Sequence, residues 1–158
     1  MALANRLRFR WRILSAVMLI LLCRCVWGAP EAFCDHMIVI ANQSVPADKL
    51  TGLELKNIFT GKIKLWENGD KIILVYSKQK ETQIHFFKEY IKKTPQQFIN
   101  SWRNLIFMGK SSTIPKGMAD EKELIKYVSL TKGAIGYVAS QKLIDGVKII
   151  SVDKEVGE

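Results

Sequence analysis

The sequence predicts an α/β fold, a central mixed sheet flanked by helices. Three observations carry that expectation. The apolar runs His36–Ala41 and Ile72–Val75 are continuous rather than alternating, as in strands covered on both faces. Between such runs lie segments with apolar residues at helical spacing. Two capping boxes, Thr51–Glu54 and Thr94–Gln97, mark helix starts. Strands alternating with helices imply layers joined by right-handed crossovers.

The first strand, His36–Ala41, is followed by a loop at 42–46, in which Asn42-Gln43-Ser44 also matches a glycosylation sequon. The Thr51 box opens a helix with Leu55, Ile58 and Phe59 inward and Gly61 past its end. Ile63–Trp66 and Lys71–Tyr76 flank Asn68-Gly69, a pair that favours a type I′ hairpin turn. A helix is expected over 82–92, with Ile84, Phe87 and Ile91 on one face. The next helix has Pro95 at its first position, carries Phe98, Trp102, Leu105 and Ile106 inward, and ends at Gly109. Residues 111–117 read as a polar loop. Asp120 or Ala119 opens a helix with Leu124, Ile125 and Val128 inward. A turn and strand follow at 133–138, a short helix at 141–144, and a last strand at 147–152.

The chain has 158 residues, 48% of them hydrophobic and 25% charged, enough for one domain of ordinary size. Its formal charge of +9 overstates its basicity. Five arginines and no acid fall in residues 1–28; the remainder has 19 basic and 15 acidic residues, a net of +4. That gives no case for nucleic acid as a partner. Residues 1–28 read as a secretory signal, with a basic stretch from Arg6 to Arg12 and an apolar one from Ile13 to Leu22. Cleavage is expected before Ala29, leaving 29–158 as the mature domain and placing it in the periplasm or outside the cell. The competing readings are a retained anchor and a lipid anchor at Cys23 or Cys25. The 15 residues from Ile13 to Trp27, interrupted by Arg24, fall short of the roughly 20 that span a bilayer. The residues just before the two cysteines, Leu22 and Arg24, are not small. Cys34 is then the lone mature cysteine: it can form no internal disulfide, though an intermolecular bridge stays open.

No catalytic constellation stands out. The sequence holds no HExxH, GxSxG, Walker loop or CxxC, and its histidines, His36 and His85, open a strand and sit within a helix. A non-enzyme without cofactor or metal is expected. Two places can cradle an anion. One is residues 76–82, where a buried strand gives way to a helix N-terminus beside Ser77, Lys78, Lys80 and Thr82. The other is the hydroxyl-rich loop 109–113, with Ser111 and Ser112. A solvated turn and a plain connector are the bland alternatives.

Leu55-Lys56-Asn57-Ile58-Phe59-Thr60-Gly61-Lys62, Trp66, Gly69 and the segment Gly133-Ala134-Ile135-Gly136-Tyr137-Val138 resemble the phosphate-type periplasmic substrate-binding proteins of ABC transporters, over about residues 36–140. The resemblance implies a type 2 periplasmic-binding-protein fold. Full members close two lobes on an oxyanion; this chain is expected to be a single lobe with the hinge-proximal strand. The family's ligand loop carries Arg, Ser, Asp, Gly and Thr at a helix N-terminus. Here the matching stretch is Ser77-Lys78-Gln79-Lys80-Glu81-Thr82-Gln83, in which the Arg, Asp and glycines are missing and Glu81 would repel an anion. The resemblance thus implies a small anion such as phosphate, held by Ser77, Lys78, Lys80, Thr82 and Gln83, with Ser111 and Ser112 as a second wall. Asn42 and Ser44 are expected to face the same cleft. The alternative is a degenerate lobe serving as an interaction module, bound to an envelope protein or to a second copy. Trp66, Phe107 and Tyr137 would then be exposed rather than in the core.

Overall fold

Residues 37–139 and 144–153 are described by a computed structural model. The expected signal segment, all three cysteines, His36 and most of the short helix at 141–144 lie outside the described residues. The elements run β1 (Ile38–Ala41), β2 (Lys49–Thr51), α1 (Gly52–Phe59), β3 (Ile73–Ser77), α2 (Lys80–Phe86), α3 (Pro95–Phe107), β4 (Lys116–Met118), α4 (Glu121–Leu130), β5 (Ala134–Val138) and β6 (Lys148–Asp153).

The strands form one mixed sheet in the order β2-β6-β1-β5-β3-β4. β1 is antiparallel to both of its neighbours, β5 and β6. Three pairs are parallel: β2 with β6, β3 with β5 and β3 with β4. The continuous apolar run of β1 therefore reflects a central position, not a parallel environment.

The period-2 geometry of a strand divides the core between the two faces of the sheet. Val39, Ala41, Leu74, Ile135 and Tyr137 point to one face, against Leu55, Ile58 and Phe59 of α1, Phe86 of α2, and Phe98 and Trp102 of α3. Ile40, Val75, Ala134 and Val138 point to the other, against Leu124, Ile125 and Val128 of α4. Both predicted capping boxes form, at Thr51 and at Thr94. No helix among the described residues is long and apolar enough to cross a membrane.

Several local expectations need correction. The hairpin at Asn68-Gly69 is not type I′. Among the described residues the only non-glycine with positive φ is Lys92, so Asn68 is not left-handed, whereas Gly69 is, at φ +81°. The Gly69 amide donates to the Trp66 carbonyl at 2.9 Å and the Trp66 amide to the Asp70 carbonyl at 2.8 Å. This is a three-residue loop whose glycine forms a bulge. Ile84 does not face the core: it is 44% exposed. The helix begins two residues early, at Lys80, and passes at Phe87–Ile91 into a π-helical turn that ends at left-handed Lys92 (φ +56°). Phe86, Phe87 and Ile91 are all buried there. The short edge strands β2 and β4 fall where the sequence reads as loop or helix entry.

Candidate functional site

The carboxyl end of β3 runs straight into α2. Ser77, the last strand residue, is fully buried, and its Oγ accepts a hydrogen bond from the Gln79 amide at 3.1 Å. The Lys78 amide donates to the Met118 carbonyl at 2.8 Å, extending the β3–β4 ladder by one step. The chain then turns at Gln79, and the Gln83 amide donates to the Gln79 carbonyl as the first full helical bond. Lys78, Lys80 and Glu81 are exposed, Gln83 is half-buried and Thr82 is buried.

The start of α2 differs from those of the other three helices among the described residues. The N-terminal amides of α1, α3 and α4 are met by the side chains of Thr51, Thr94 and Asp120. Gln79 makes no side-chain cap. The first-turn amides of a helix need an acceptor, and the aligned peptide dipoles favour a negative one. At α4 the chain supplies its own, Asp120 Oδ1 accepting from the Glu123 amide at 2.7 Å, and two further carboxylates serve amides outside the helix. Glu123 Oε2 accepts from the Ala119 amide at 3.1 Å, and Glu121 Oε1 from the Ala139 amide at 2.6 Å. That carboxylate-filled end lies beside the carboxyl ends of β4 and β5. The uncapped amides of α2, flanked by Lys78 and Lys80, are left for an acceptor from outside the chain.

The remaining predicted residues do not join this site. The pairing of Ala41 with Ile135, and of Leu74 with Ile135, puts the end of β1 level with the start of β3. Asn42 and Ser44 therefore stand at the opposite end of the sheet from Ser77. Both are structural there. Asn42 Nδ2 donates to the carbonyls of Val128 and Ser129, each at 2.8 Å, and Ser44 Oγ accepts from the Gly133 amide at 3.1 Å. Ser111 and Ser112 are also away from Ser77. The neighbouring Lys110 carbonyl accepts from Lys64 Nζ, and the Lys64 carbonyl accepts from the Ile72 amide, just ahead of β3. Ser111 Oγ donates to the Thr113 carbonyl at 3.0 Å. The geometry brings together Ser77, Lys78, Lys80, Thr82 and Gln83 and provides no second wall from these serines.

A residue of this neighbourhood that sequence reasoning left between core and surface is Tyr137. It is fully buried, stacked on Phe86 with ring centroids 3.7 Å apart. Burial pushes its hydroxyl well above the ordinary tyrosine range; the Ser77 backbone opposes the rise slightly, and nearby Tyr76 adds to it. Beyond that contact with the Ser77 backbone, the hydroxyl has no hydrogen-bond partner among the described residues. Trp66 is buried too, its Nε1 donating to the Gly133 carbonyl at 3.0 Å, while Phe107 is exposed.

An uncapped helix N-terminus beyond the carboxyl end of a sheet strand is the position at which open α/β sheets bind ligands. The chain matches the family model described as a PBP superfamily domain over residues 31–153, and it belongs to that family. None of the curated proteins matches it. Among solved structures it is similar to a protein from Clostridium perfringens described as a phosphate ABC transporter substrate-binding protein with bound phosphate. The TM-score is 0.58 at 20% identity, covering 75% of this chain and 46% of that one. It is also similar to PstS from Borrelia burgdorferi, with a TM-score of 0.54 at 19% identity, covering 77% and 49%. The chain therefore spans about half the length of these proteins.

Proposed function

We propose that the chain is an exported, non-catalytic solute-binding lobe for phosphate or a similar small oxyanion, received at the N-terminus of α2. The observation that carries this reading is the uncapped helix start at Gln79, flanked by Lys78 and Lys80 at the carboxyl end of β3. The first-turn amides, the two ammonium groups and the hydroxyl of Thr82 supply donors of the kind a tetrahedral oxyanion needs. Ser77 holds the turn through the Gln79 amide, and Gln83 follows on the first turn of the helix. Similarity to phosphate-binding proteins supports the choice of anion, and the basic-then-apolar pattern of residues 1–28 supports export. Glu81 and the absence of an arginine lower the expected affinity relative to a closed two-lobed cleft.

Calorimetric titration with phosphate, then sulfate, at low salt tests the reading. Saturable one-site heat that falls at least several-fold in Lys80→Ala is the expected result. Lys80 is exposed, so its loss leaves the fold intact. No heat at millimolar phosphate from folded protein overturns the assignment.

A further inference from the structure

A second feature lies at the other end of the sheet. α3 closes in a Schellman motif. Left-handed Gly109 (φ +66°) donates to the Ile106 carbonyl at 2.9 Å, and the Lys110 amide to the Leu105 carbonyl at 2.8 Å. In this motif the residue after the glycine commonly packs on the last helical turn; here it is a lysine. The motif fixes the chain while leaving its side chains in solvent. Phe107 is 93% exposed and Met108 54%. Arg103 lies one helical turn before Phe107, and Lys110 follows the left-handed Gly109 just beyond it, so exposed cations precede and follow the apolar pair along the chain. Lys64 joins them, its Nζ donating to the Lys110 carbonyl, and the adjacent Leu65 is also exposed. From Tyr90 to Ala119 the sequence has five lysines and arginines and no acid.

We propose that this tip docks on an anionic phospholipid bilayer, with Phe107 and Met108 entering the interface and Arg103, Lys110 and Lys64 contacting headgroups. A projecting apolar pair between cations matches the boundary between negative headgroups and acyl chains. The rigid turn presents the pair with little ordering cost. The tip is remote from Ser77, so the lobe can rest on a membrane with the α2 N-terminus free.

The test is cosedimentation of the full chain with vesicles of phosphatidylglycerol and phosphatidylcholine, and with phosphatidylcholine alone. The wild type should bind the anionic vesicles more than the neutral ones, and less as salt rises. Phe107→Ser with Met108→Ser should cut binding to anionic vesicles about tenfold. Arg103→Gln with Lys110→Gln should abolish the preference for negative lipid. Unaltered melting temperatures and unchanged phosphate heats would show that both variants remain folded. Equal binding by wild type and variants overturns the proposal, since attachment would then lie elsewhere in the chain. Self-association that the serine variant abolishes, without vesicle binding, also overturns it and makes the tip a contact between copies.

Discussion

Tyr137 shows how one atom can work against the structure around it. Its ring fills the space between the sheet and α2, but its buried hydroxyl has only a poor contact with the Ser77 backbone as a partner. Tyr137→Phe should therefore be neutral or stabilising by up to about 1 kcal/mol, checked by denaturant unfolding. The raised pKa of this hydroxyl also has a consequence for alkaline stability. An acid whose folded value lies above its unfolded value contributes fully below the unfolded value and loses that contribution as pH rises beyond it. The wild type should lose stability progressively above pH ~10, and Tyr137→Phe should lose less of it. At this scale the sequence was legible for the strand-to-helix junction at Ser77, because strand and helix patterns meet there. It was not legible for Asn42 or Ser44, since only the antiparallel pairing of β1 with β5 reveals which end of the sheet they occupy.

The four helix starts form a natural control set. Three carry side-chain caps and the fourth, at α2, does not. Gln79→Asp should supply the missing acceptor, raising stability by about 1 kcal/mol. The same carboxylate would occupy the amides proposed to receive the anion, so phosphate heat should vanish in a more stable protein. A stabilised variant that binds phosphate as before would place the anion elsewhere. Helix identity was legible because capping boxes and apolar spacing are local signals, and Thr51, Thr94 and Asp120 all cap as their spacing implies. The π-helical turn was not, because the packing of Phe86 and Phe87 against Phe59, Phe98 and Tyr137 imposes it from outside the element. Edge strands of three residues, such as β4, carry too few side chains to show a period.

The sheet order fixes which parts of the molecule depend on one another. β2 has no partner in the sheet but β6, and β1 lies between β5 and β6. A chain ending at residue 146 should therefore fail to fold cooperatively, with loss of the thermal transition followed by circular dichroism. Survival of a sharp transition would show that the remaining four strands suffice. The fold class was readable from covered strands alternating with helices, but the order β2-β6-β1-β5-β3-β4 rests on contacts between distant residues that no local pattern encodes. That order also sets a timetable. Val39 pairs with Tyr137 and Ile150, so the first strand to leave the ribosome waits for the last two. Closing loops of roughly a hundred residues is slow, and the nascent polypeptide lacks its central pairing until synthesis is nearly complete. During that interval it lacks a finished sheet, and the proposed export across a membrane would have to take place within it.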